Sequence, residues 1–151
     1  MARSVHLIDT NILVYALDRA EPVKQARAID VLAVLKESGL AAVSTQILAE
    51  FFNAVMLRLK VPLSPAEAYD KTEAITQRFS VIEVSQATVL EAARAARDYQ
   101  ISYWDAQIWA TAKLNQIPYV LTEDVPGREM LEGVRFINPL RNDFDLALLQ
   151  P

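Results

Sequence analysis

The chain alternates short, mainly apolar runs with longer stretches whose apolar positions recur every three or four residues. The runs at 5–8 (apolar apart from His6), 41–43, 81–84, 118–122 and Val134–Ile137 are too short for helices and lack polar alternation, so they read as buried strands. Pro22–Ser38 carries Ala26, Ile29, Leu32, Ala33 and Leu35 at helical spacing, opens on proline and stops at Gly39. Residues 11–17 predict a helical turn or two, and Ser44 or Thr45 caps a helix reaching about Lys60. Ser64 opens SPAEAYDKTEAITQRF, with Pro65 at the first position and Glu67 completing a capping box. An alanine-rich helix follows over 85–99, and Ser102 opens another at WDAQIWATAKLNQ. The 139–151 tail reads as either an appended short helix or a peripheral arm.

Strands that alternate with helices and are short and mainly apolar belong to an α/β protein with a mainly parallel sheet covered on both faces. At 151 residues the chain is expected to form one domain, 1–151, without repeats or linkers. Composition narrows the chemistry. Only three glycines are present, so helices should dominate, and no cysteine is available for disulfides or thiolate metal sites. There is no apolar run long enough to cross a bilayer. The segment MARSVHLIDT is too short and too soon charged again for a secretory signal, so a cytoplasmic location is expected. No G-x-G-x-x-G, P-loop or G-x-S-x-G occurs, which removes dinucleotide binding, P-loop hydrolysis and the serine elbow.

Four acids stand out against this background. Asp9 follows the first strand in VHLIDTNILV, and Asp124 follows the strand ending at Thr122. Chemistry in such sheets gathers at the carboxyl ends of the strands. Glu50 sits in the apolar stretch ILAEFFNAVML, with Gln46 and Asn53 on its helix face. Asp105 stands three residues after Ser102, between Trp104 and Trp109, whose bulk suits the walls of a cleft. Each has an ordinary alternative: a helix cap for Asp9, a turn residue for Asp124, a solvent stripe for Glu50, a capping box for Asp105. Taken together, scattered carboxylates without cysteine or a second histidine suit hard cations such as Mg2+ or Mn2+.

The order of LIDTNILVYA, LAEFFNAV, YWDAQIWATA and VLTEDVPG, closed by GVRFINPL, resembles the PIN-domain family, and within it the VapC-type toxins of toxin–antitoxin pairs. The resemblance spans about residues 5–140 and implies a three-layer α/β/α sandwich with a short, mainly parallel sheet. It implies an Mg2+- or Mn2+-dependent endoribonuclease leaving 5′-phosphate and 3′-hydroxyl ends. Asp9, Glu50, Asp105 and Asp124 match the family's acidic quartet, the three aspartates as first-choice ligands and Glu50 for a second metal or the water. Asn11 and Thr122 match the supporting residues, and Glu123 rivals Asp124 as the last ligand. The resemblance also implies an RNA substrate, an antitoxin partner and a homodimer, the last in keeping with the apolar richness of 47–57 and 89–103.

Two other readings stand beside it. A non-catalytic PIN-like module would bind RNA or protein. A receiver-like signalling domain would need a second acid next to Asp9, and none is there. The net charge of −4 argues against a polyanion binder. Yet of 19 Asp and Glu, four belong to the quartet, and the remaining 15 equal the 15 Lys and Arg. RNA would then be gripped locally, with Arg58, Lys60 and Lys113 as candidates.

Overall fold

The computed structural model describes residues 4–151; the first three residues of the segment read above for a secretory signal lie outside it. In chain order the elements are β1 (His6–Ile8), α1 (Thr10–Tyr15), α2 (Pro22–Ser38), β2 (Ala41–Ser44), α3 (Thr45–Leu57), α4 (Pro65–Arg78) and β3 (Ser80–Ile82). They continue with α5 (Gln86–Tyr99), α6 (Tyr103–Leu114), β4 (Tyr119–Leu121), β5 (Met130–Leu131) and β6 (Val134–Ile137), and close with a 3-10 helix at Leu146–Leu149. The caps follow the sequence closely. Ser44, Ser85 and Ser102 each accept a backbone N–H at the start of their helix, and Ser64 with Glu67 forms a reciprocal capping box. Gly39 ends α2 in the left-handed conformation at φ 68, which glycine adopts without steric cost.

The strands form one six-stranded sheet in the order β3-β2-β1-β4-β6-β5, parallel except for β5 against β6. Every position of β1 and β2 is buried, so helices cover both faces, as the unbroken apolar runs require. Leu7, Ile8, Val43, Phe51, Trp109 and Leu121 are among the largest side chains at the centre of the core.

Three details depart from the sequence reading, and the tail takes one of the two forms that it left open. Strand β3, read as buried, is exposed at Ser80 and Val81 because it lies at the edge of the sheet. Helix α3 stops at Leu57 rather than near Lys60, because the chain folds back so that Leu63 N–H donates to Val55 O at 3.0 Å, with Leu59 turned inward. Strand β5 was not expected. It pairs with β6 through a two-residue turn in which Glu132 and Gly133 both have positive φ, the geometry that two-residue hairpins favour. The tail is an arm that ends in the 3-10 helix. It is held on α2 by the Arg27 guanidinium, which donates to Pro139 O at 3.0 Å and to Phe144 O, and by burial of Leu149.

Candidate active site

Topology creates the site. The chain leaves β1 toward β2 on one side and reaches β4 on the other, so the carboxyl ends of β1 and β4 form the switch point at which such sheets open a crevice. Ile8 is paired with Leu121, which sets Asp9 beside Thr122, and Asp9 N–H donates to Leu121 O at 2.9 Å. Asp9 has extended backbone and caps α1: its Oδ1 accepts from Thr10 N–H at 2.7 Å. Its Oδ2 accepts from the Thr122 hydroxyl, also at 2.7 Å. The capping reading and the site reading of Asp9 are therefore compatible, one oxygen for each.

Asp9, Asp105 and Asp124 line one small cleft with Thr122, Ile108 and Pro126. Asp105 comes from the first turn of α6, where its N–H bonds the Ser102 hydroxyl at 3.2 Å, while its carboxylate makes no hydrogen bond among the described residues. Asp124 is exposed, and its Oδ2 accepts from Asn11 Nδ2 at 3.3 Å. Asn11 makes no hydrogen bond to Asp9 among the described residues. It acts one residue removed, donating to the Thr122 hydroxyl at 3.3 Å and accepting from Glu123 N–H at 3.2 Å, so that it ties the β4 loop to α1. Glu123 points elsewhere and pairs with Lys24 of α2 at 2.6 Å, which leaves Asp124 as the loop acid on the cleft.

Glu50 reaches the same neighbourhood from α3. The Thr10 hydroxyl donates to its Oε2 at 2.9 Å, and Gln46 Nε2 donates to its Oε1 at 2.9 Å. Gln46 is buried and Glu50 half-buried, whereas Asn53 is exposed, so the polar stripe divides between interior and solvent. Thr10, Gln107 and Tyr103 were not singled out in the sequence. Gln107 Nε2 donates to Gln46 Oε1 at 2.9 Å, and the Tyr103 hydroxyl donates to Gln107 Oε1 at 2.7 Å. Their i, i+4 spacing on α6 was the only signal available. The two tryptophans part company: Trp104 is exposed, while Trp109 is fully buried with Nε1–H donating to Leu131 O, so only Trp104 borders the site. Lys113 is engaged by Glu91 at 2.8 Å and Glu132 at 3.1 Å, which removes it from the candidate RNA contacts. His6 lies at the far end of β1, stacked on Tyr119.

Electrostatics marks Asp9. Burial above all pushes its carboxyl up from 3.8 to about 6; the Thr122 and Thr10 hydrogen bonds pull it back, and the charges of Glu50 and Asp105 push it further up. None of the four acids has a Lys or Arg partner among the described residues. Nor do three such side chains stand close enough there to form a ready-made metal cage. The donor set is all oxygen, on one cleft and uncompensated, which is the chemistry that suits a hard divalent cation.

A family model for the PIN domain matches residues 6–125. No curated protein matches the chain. Among solved structures, Mycobacterium tuberculosis VapC20, a toxin that cleaves the sarcin-ricin loop, is similar at 16% identity and TM-score 0.64, over 79% of this chain and 89% of that one. VapBC2 from Rickettsia felis, bound to a promoter DNA fragment, is similar at 18% identity and TM-score 0.65, over 89% and 98%. DNA-bound VapBC from Salmonella typhimurium is similar at 16% identity and TM-score 0.64, over 91% and 99%. At these identities the likeness is one of fold.

Proposed function

The chain belongs to the PIN domain family, and from that premise we propose that it is a metal-dependent endoribonuclease, the toxin of a toxin–antitoxin pair. The observation that carries the reading is the convergence of Asp9, Asp105 and Asp124 on one cleft, with no cation among them. Asp9, Asp105 and Asp124 would hold Mg2+ or Mn2+, with Glu50 on the flank for a second ion or for water. The bound ion supplies a lowered pKa for water and positive charge against the phosphate oxygens.

The remaining roles fall to the protein's own groups. Thr122 gives its one hydroxyl proton to Asp9 Oδ2 while accepting from Asn11 and from Asp124 N–H at 3.1 Å, so it fixes the spacing of two carboxylates. Thr10 and Gln46 each occupy one oxygen of Glu50 and set its orientation. Such outer hydrogen bonds position groups whose affinity for a cation depends on direction as well as charge. A cation held there would offset the acids' mutual repulsion.

The wider expectations rest on the neighbours. Two of the similar structures are toxin–antitoxin assemblies, which supports an antitoxin partner for this chain. Val61, Leu57 and Leu90 are 79%, 70% and 63% exposed, which leaves apolar surface for that partner or for a second copy. Among the described residues no helix is long and apolar enough to cross a membrane; a single domain acting in the cytoplasm is part of the proposal.

The test is RNA cleavage by the purified chain with Mg2+, with Mn2+ and with EDTA, beside Asp105→Asn. Metal-dependent cleavage that the variant loses upholds the reading. Folded protein that binds RNA without cutting it under any ion would make it a binding module instead.

A further inference from the structure

Beside the acids lies a groove of about 810 Å3, walled by Gln46, Asn53, Arg58, Val84 and Trp104, and it shares Glu50 with the site. Trp104 stands 62% exposed at its edge, one residue before Asp105. Its backbone is pinned. Gln46 Nε2 donates to Trp104 O at 3.2 Å, Gln46 is held in turn by Gln107, which Tyr103 holds, and the Tyr103 ring meets the indole edge-on at 5.1 Å. The same Gln46 amide donates to Glu50, so the indole and that carboxylate are positioned by one side chain. Two other lining groups are unused. Arg58 and Asn53 are exposed, and neither side chain has an ion-pair or hydrogen-bond partner among the described residues. By contrast Lys24, Arg94 and Lys113 are all committed to acids.

An exposed aromatic face, a free guanidinium and a free amide around one groove are the three groups that an unstacked nucleotide uses: a face for the base, a cation for the phosphate and a hydrogen-bonding partner for the base edge. Paired bases in a duplex have no free face to offer. We propose that this groove holds one unpaired ribonucleotide next to the bond to be cut, its base stacked on Trp104 and its phosphate on Arg58. The inference rests on the ribonuclease reading and adds which side chains of this chain hold the nucleotide beside the acids.

The chain has two tryptophans, and Trp109 is fully buried, so a change in fluorescence on adding RNA reports Trp104. The full chain, held in EDTA, is titrated with single-stranded oligoadenylate and with an RNA duplex of the same length. The single strand should quench saturably, and the duplex should not. By anisotropy of a labelled single strand, Trp104→Ala should bind roughly ten- to a hundredfold more weakly, and Trp104→Phe should recover most of the loss. Arg58→Ala should weaken binding and flatten the dependence of log K on log salt by about 0.7. In cleavage assays Trp104→Ala should raise KM far more than it lowers kcat. Absence of quenching, or unchanged affinity in Trp104→Ala, overturns the proposal. So does dissociation of a dimer by Trp104→Ala in light scattering, which would assign the indole to a second copy. Quenching by single strands without cleavage under either ion would retain the groove and remove the nuclease reading. Cleavage with undiminished affinity in Trp104→Ala would do the reverse.

Discussion

Asp9→Asn separates a helix cap from an electrostatic site through stability alone. The carboxyl is pushed from 3.8 to about 6 in the folded protein, chiefly by burial. A folded-state pKa above the unfolded value means that the native state holds the proton more tightly. Stability therefore falls as pH rises through that window, and above it the full penalty stands, about 3 kcal/mol at 1.36 kcal/mol per unit. Asparagine keeps the size, caps as well as aspartate, and carries no charge to desolvate. One cost opposes it. The Thr122 hydroxyl already accepts from Asn11 and Asp124 N–H and spends its proton on Asp9 Oδ2, so an amide NH2 turned toward it finds no free acceptor. Subtracting about 1 kcal/mol for that loss leaves a net gain of about 2 kcal/mol. For a chain of this size the gain raises Tm by roughly 4–8 °C. The assay is calorimetric melting of both proteins in EDTA from pH 4 to 7.5. The variant should match or trail the wild type near pH 4 and lead it at pH 7.5. Excess Mg2+ or Mn2+ should narrow or reverse the gap, because only a form that binds the ion gains RT ln(1 + [L]/Kd). A pH-independent difference, or a variant that melts lower at pH 7.5, would refute the electrostatic account. Wild-type cleavage by the variant would remove Asp9 from the ligand set.

Three further outcomes follow from the geometry. Thr122→Val keeps the shape but deletes the donor to Asp9 and the acceptor for Asn11 and Asp124 N–H; it should lower stability by about 1–3 kcal/mol in chemical denaturation and reduce cleavage at saturating metal. Gly39→Ala should cost about 1 kcal/mol in the same assay with activity intact, because nothing lies within 4 Å of the added methyl and only the positive φ resists it. Glu132, held down to about 2 chiefly by the Arg94 guanidinium, then by Tyr99 and Lys113, contributes stability that is present above its ordinary 4.5 and lost as pH falls toward 2. Glu132→Gln should therefore lower Tm at pH 7 by an amount corresponding to about 1 kcal/mol after solvent screening, and change it little near pH 2 in melting scans.

Local physics made most elements readable from the chain. Four serine caps, Pro22, Pro65 and Gly39 mark helix ends through hydrogen bonds and dihedral limits that act within a few residues. The apolar runs of β1 and β2 announced burial on both faces, because a strand exposed on one side would alternate. The four acids and their order were equally visible. Their relations were not, since these depend on contacts between segments far apart in sequence. Only the sheet order sets β1 beside β4, and only the Ile8–Leu121 register makes Thr122 the partner of Asp9 across 113 positions. The choice of Asp124 over Glu123 as the acid on the cleft required Lys24, which no local pattern links to that loop. Trp104 and Trp109 look alike in sequence, five residues apart on one helix, yet the fold exposes one beside a groove and seals the other beneath the β5–β6 hairpin. Periodicity identifies a helix's buried stripe, but which neighbours cover each side chain is fixed only when the helices dock on the sheet.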